Sequence, residues 1–176
     1  MDWCTEEFSG IDFGDKRLHK RFVKVAQSML DNPLRSISEA GCGVWSDVKA
    51  AYRLFANNKI SSEKFLDFHA QKTISRCVDL PTVLAIQDSS GLSYARFPSI
   101  SDMGTVEGKN TWSHKGLILH PTLAVTPTGE CLGLLDLQAY SRADGVRREH
   151  HYAHIKIPIH QKESFRWIKS FQNAEA

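Results

Sequence analysis

Apolar residues recur at helical spacing up to about residue 78, and short strand-like runs replace that pattern from Pro81 onward. Asp2 is placed to cap a turn or two of helix over residues 2–8, with Glu6 and Glu7 near the positive end of its dipole. After Gly14, Asp15 caps a longer helix to about Leu30, stopped by Asp31-Asn32-Pro33. Leu18, Phe22, Val25 and Met29 form its buried stripe. Gly41-Cys42-Gly43 interrupts the pattern. Ser46 or Asp47 then starts a helix through Phe55 that carries Val48, Ala51, Tyr52 and Phe55 inward. Ser61 caps a last helix to about Cys77, with Ile60 and Phe65 as a hydrophobic staple and Glu63 in its first turn.

Beyond Pro81, Thr82-Val83-Leu84-Ala85-Ile86-Gln87 reads as a buried strand that ends at Asp88 and a Ser-Ser-Gly turn. Leu92–Ala95 follows, then a polar exposed loop around 99–110. Gly116–Thr126 and Glu130–Tyr140 are β-rich runs joined by the tight turn Pro127-Thr128-Gly129, a hairpin pattern. Residues 141–160 make a basic, histidine-rich connection, and Lys162–Phe171 starts a helix with Phe165, Ile168 and Phe171 on its apolar face. The fold class is therefore α+β: a helical domain over residues 1–80, then three strands and a helix over 81–176. Three strands and one helix leave much of a sheet uncovered, so further chain or a partner is expected to complete it.

Composition changes this picture little. Hydrophobic content of 41% and charged content of 24% are those of a globular protein. No apolar run is long enough to span a bilayer and the first residues carry acids, so a cytoplasmic location without a membrane is expected. Cys4, Cys42, Cys77 and Cys131 are widely spaced, which supports neither a disulfide framework nor a cysteine zinc site.

Charge matters through its placement rather than its formal net value of +2. Lys16, Arg17, Lys20, Arg21 and Lys24 crowd two to three turns of one helix with no acid among them, and Lys49, Arg53, Lys59 and Lys64 add to the basic surface. Such cations repel unless a polyanion neutralises them, so the cluster is either a solvated face or a contact for DNA phosphates. Asp88, at a strand end, has the placement of a metal ligand or general base, although the segment alone favours a turn residue bonded to its own backbone. His150-His151-x-x-His154 invites a metal hydrolase reading, but Gly145 and Ile-Lys-Ile-Pro around it favour a loop, and no H-E-x-x-H arrangement is present. Ser89-Ser90 lacks the elbow of serine hydrolases. Trp45, Trp112 and Trp167 suit core or interface better than base stacking.

Several segments, in this order, resemble the bacterial DDE transposases of the Tn-five type, within the insertion-sequence-four group. They are Phe13-Gly14-Asp15-Lys16-Arg17-Leu18, Ser36-Ile37-Ser38-Glu39-Ala40, Ala50-Ala51-Tyr52-Arg53-Leu54-Phe55-Ala56-Asn57, Leu84-Ala85-Ile86-Gln87-Asp88-Ser89-Ser90, Lys115-Gly116-Leu117-Ile118-Leu119-His120, Leu132-Gly133-Leu134-Leu135 and Lys162-Glu163-Ser164-Phe165-Arg166-Trp167. The resemblance implies a helical domain that binds double-stranded DNA at transposon ends, through Lys16, Arg17, Lys20, Arg21, Lys24 and Arg53, followed by the first part of an RNase H-like catalytic domain. It implies that Asp88 is the first carboxylate of the DDE triad and a ligand for Mg²⁺ or Mn²⁺ in the intact enzyme. The family's second Asp and its Glu lie further downstream, and Asp136, Asp144 and Glu163 lie on no matching motif. The chain is therefore expected to be the N-terminal portion of a cut-and-paste transposase, nucleoid-associated when on DNA, inactive alone and without a tightly held metal. A natural truncated regulator, pairing with itself or with full-length transposase, is the alternative.

Overall fold

A carboxylate cap starts the chain's first helix. Asp2 accepts from the Thr5 N–H and the Thr5 hydroxyl, each at 2.8 Å, and fixes α1 (Trp3–Glu7). The computed structural model describes residues 2–40, 44–97, 99–100, 103–107, 113–142 and 157–175, and the chain divides into two compact units, Met1–Lys72 and Thr73–Ala176.

The first unit comprises α1, α2 (Lys16–Asp31), the short α3 (Ile37–Ala40), α4 (Trp45–Phe55) and the greater part of α5 (Ser62–Cys77). Phe22, on α2, is the centre of an aromatic cluster whose ring centroids lie 5.1 Å from Phe8, 5.2 Å from Phe13 and 5.6 Å from Phe65. Cys4, Ile11, Val23 and Leu54 complete this core. Two acids of this unit serve in opposite settings. Ser36 and Glu39 exchange a reciprocal capping pair that starts α3, with the Ser36 N–H donating to Glu39 Oε2 at 2.9 Å. Glu7 is instead buried and accepts from His69 Nδ1 at 2.6 Å. Replacing His69 by alanine strips one donor from a buried carboxylate, and the expected cost is about 2 kcal/mol. A urea titration followed by the helical circular dichroism signal checks this, and an unshifted midpoint would show that the bond contributes nothing.

The helical expectations need three corrections. Met29, Tyr52 and Phe55 are exposed, and Leu54, 1% exposed, takes the inward position on α4. That helix starts at Trp45 after Val44, which offers no side-chain cap, rather than at Ser46 or Asp47. The α3 turn has no apolar periodicity to announce it.

The described residues of the second unit form an antiparallel sheet of five strand segments, more than the three runs expected: β1 (Leu84–Gln87), β2 (Ser90–Ser93), β3 (Thr105–Glu107), β4 (Ser113–Val125) and β5 (Cys131–Tyr140). The extra segments come from the break at Asp88-Ser89 and from β3, which forms inside the stretch expected to be loop. The four other described strands all pair with β4. β1 and β2 lie along one of its edges in a single unbroken register, from Leu84 opposite Val125 to Ser93 opposite Gly116, while β5 takes the other edge. The β4–β5 connection closes as expected, with Gly129 at φ 93° and Thr126 N–H bonded to Glu130 O at 2.9 Å.

β1 is not buried: Leu84 and Ile86 are 45% and 48% exposed. Leu84 and Ile86 lie on one side of a strand that, among the described residues, pairs with β4 alone, and a run of four residues does not show whether a strand has one neighbour or two. The helix α6 (Phe165–Glu175) follows a 3₁₀ turn at Ile159–Gln161 and packs on β5 and β4. Contrary to expectation, its contact side joins polar side chains to the Trp167 ring rather than to Ile168 and Phe171. Buried Ser170 donates to Asp136 Oδ2 at 2.5 Å, and Asn173 donates to Asp136 Oδ1 at 3.1 Å, while Ile168 and Phe171 remain half-exposed.

Candidate nucleic-acid interface and acidic site

The basic helix is launched by an Asx turn. The Gly14 N–H donates to Asp12 Oδ1 at 2.7 Å with Gly14 at φ 70°, a conformation that glycine adopts freely. Asp15 then accepts from Arg17 N–H at 2.8 Å and Leu18 N–H at 3.4 Å. These backbone bonds hold its carboxyl below the usual carboxylate range. Lys16 is the first helical residue, and Arg17, Lys20, Arg21 and Lys24 follow at three- and four-residue spacing on one exposed face.

Among the described residues, no carboxylate lies within ion-pair distance of Lys16, Arg17, Lys20 or Arg21. Lys24 differs, since Asp47 of α4 accepts from its Nζ at 2.8 Å. The sequence shows no acid within the cluster, but the fold supplies one from another helix. Two hollows flank this face. A groove of about 470 Å³ runs beside Arg17, Lys20, Arg21 and Lys24 over the apolar side chains Val25 and Ile37. A smaller hollow of about 230 Å³ brings Arg53 of α4 together with Arg17 and Arg21. The structure thus brings Arg17 and Arg21 of α2 together with Arg53 of α4, with Lys20 and Lys24 along the neighbouring groove, while Lys16 lines neither hollow.

Sequence reasoning misses part of this surface. Trp45 is 66% exposed, with Lys49 Nζ 5.2 Å from its ring centroid, and Tyr52 is exposed on the same helix. Trp45 and Tyr52 are the residues missed: they share a helical face with the predicted cations Lys49 and Arg53, and that spacing is the signal that could have found them, but two aromatic rings imitate a core stripe.

Asp88 occupies the break between β1 and β2, and the cause is on the facing strand. Lys115 O accepts from Tyr94 N–H at 2.8 Å, whereas Gly116 N–H donates to Gly104 O at 3.0 Å on the opposite edge. Odd-numbered residues of β4 therefore turn their backbone groups toward β1 and β2. Pro121 is one of them, the register puts it opposite Asp88, and it has no N–H to give. The Asp88 carboxylate is exposed and its Oδ1 accepts from the Ser89 N–H at 2.7 Å.

His120, fully buried on β4, bonds to both neighbours of Asp88. Nδ1 lies 2.7 Å from Ser89 Oγ, and Nε2 lies 3.1 Å from Gln87 Oε1. The amide oxygen only accepts, so Nε2 carries the proton and Nδ1 accepts from the Ser89 hydroxyl. Burial lowers the pKa of the imidazole, against the pull of Asp136 and Asp88. Side chains alternate along a strand, so Gln87 and Ser89 share the α6 side with His120 while Asp88 takes the other side. Asp136, bonded to Ser170, is on the α6 side and is no companion to Asp88. Glu163 is also engaged: burial pushes its pKa up, but Arg142, at 2.7 and 2.9 Å, and the Tyr140 hydroxyl, at 2.7 Å, outweigh this and leave it lowered.

No group of three potential metal ligands occurs among the described residues. The segment His150–His154 lies outside the described residues. Cys4, Cys77 and Cys131 are free thiols, and burial raises the Cys4 pKa to about 11. Among the described residues, no helix is long and apolar enough to cross a membrane. Residues 1–60, which hold the capped α2 helix and its cationic face, match the family model described as transposase DNA-binding, supporting the N-terminal region of a transposase with DNA as its partner.

Proposed function

We propose that the chain binds the DNA ends of a mobile element as the N-terminal portion of a DDE transposase of the Tn-five type. The match of residues 1–60 to the transposase DNA-binding family carries this reading. The exposed cations of α2, joined by Arg53, supply the physical means: guanidinium and ammonium groups spaced along one helix suit successive phosphates. The exposed face of α4, with Trp45, Lys49 and Tyr52, stands next in line for contacts that read sequence.

The sheet unit supports the finer reading of an RNase H-like opening through its antiparallel β1–β4–β5 arrangement, the helix after it and the exposed Asp88 at the end of the first strand. Phosphodiester chemistry by two metal ions needs several carboxylates, and Asp88 would contribute one. On this reading, end binding without strand cleavage is expected of this chain. Fluorescence anisotropy of the whole chain on duplexes carrying the parent element's terminal repeats, against scrambled duplexes over a salt series, tests the proposal. Tighter binding to the repeats, weakening as salt rises, is expected. Equal affinity for both duplexes would remove end recognition, and cleavage of either in Mg²⁺ would overturn the catalytic part.

A further inference from the structure

We propose that His120 is a positioning residue for Asp88, acting as a side-chain clamp across the gap that Pro121 opens in the β-ladder. Its functional meaning rests on the reading of Asp88 as a working carboxylate.

A carboxylate that is to hold a ligand or a proton at a fixed point needs a rigid main chain under it. At Asp88 the usual source of rigidity is absent, because the β4 residue facing it is a proline. Two consecutive residues, Asp88 and Ser89, accordingly fall outside both strand segments. Yet the register on either side is unbroken, so the strand continues in line through the gap. Something other than the ladder holds it there.

The imidazole of His120 bonds to both flanks of the gap. It reaches Gln87 with one ring nitrogen and Ser89 with the other, in the single neutral tautomer that satisfies both. Its own position is fixed by full burial on β4 and by the Trp167 ring of α6, edge-on at 4.8 Å between centroids. Ser89 then completes the relay, because its N–H donates to Asp88 Oδ1. The chain of contacts runs from α6 through the imidazole and Ser89 to the carboxylate, on the opposite side of the strand. An apolar side chain at position 120 would leave Gln87 and Ser89 to water and Asp88 on an unsupported stretch.

Amide hydrogen exchange and carboxylate carbon shifts, measured by NMR on the full chain, test the clamp directly. In Ser89→Ala, which removes only a hydroxyl, the amide at position 89 is expected to exchange about tenfold faster and the Asp88 carboxyl resonance to move. The amides of Leu123 and Val125 should stay unchanged, which separates local release from general weakening of the sheet. Ser89→Thr keeps the hydroxyl and should restore both signals, and His120→Phe should reproduce the alanine result if it folds. Unchanged exchange and an unmoved Asp88 resonance in Ser89→Ala would overturn the proposal, as would equal acceleration at Leu123 and Val125. Broadening of the Asp88 carboxyl resonance at millimolar Mn²⁺ tests its ligand role separately, since one carboxylate holds the ion only weakly. Absence of broadening sinks that role alone, because the exchange rates decide the clamp independently.

Discussion

Alanine in place of Leu54 is expected to lower the stability of the N-terminal unit by about 3 kcal/mol. Leu54 is 1% exposed and belongs to the same core as Phe8, Phe13 and Phe22. Its removal costs the transfer energy of the lost methyl groups and also leaves a cavity that aromatic rings, locked edge to face, fill poorly. Tyr52→Ala is the matched control, because Tyr52 is 57% exposed on the same helix and its loss should cost well under about 1 kcal/mol. Thermal or urea unfolding of the two variants side by side checks the pair. Equal destabilisation would mean that α4 is rotated relative to the arrangement described above.

Replacing Arg17, Lys20 and Arg21 together by alanine is expected to weaken binding to duplex DNA about a hundredfold at moderate salt, and to reduce the slope of log affinity against log salt by about 3. All three are exposed on one face of α2 and none has a carboxylate partner among the described residues, so their loss breaks no internal ion pair and, on the proposed reading, removes phosphate contacts. Lys24→Ala should have a smaller effect, because Asp47 already neutralises part of its charge. If the triple variant and the parent share one salt slope, the helix faces solvent and DNA is bound elsewhere. The proteins would be compared on one duplex across a salt series, with circular dichroism confirming that α2 still forms.

Local chemistry is the part of the fold that can be read ahead of the structure. Asp2 and Asp15 cap helices because a short carboxylate reaches the free N–H groups of its own first turn, and nothing distant can alter that. The Thr126–Glu130 turn is similarly self-contained. What fails depends on neighbours. Tyr52 and Leu54 are two residues apart, and both fit a helical apolar stripe, so only the packing of α4 decides which is inside. On α6 the visible apolar stripe, Ile168 and Phe171, is the exposed one, because Asp136 and Gln138 on β5 recruit Ser170 and Arg166 instead. The acidic site divides the same way. Asp88 stands out as an acid closing a strand, whereas His120 is 31 positions away from the Ser89 it holds and only the strand register brings them together.

The dependence of every described strand on β4 also sets an order of events during folding. The β4–β5 hairpin closes through a short turn, so it can form within microseconds once those residues are free to meet. Among the described strands, β1 and β2 pair only with β4, whose matching residues lie far along the chain, so these pairings close longer loops than the hairpin does and form more slowly. During synthesis, the segment carrying Asp88 therefore leaves the ribosome well before the strand it pairs with and stays without its ladder until β4 follows.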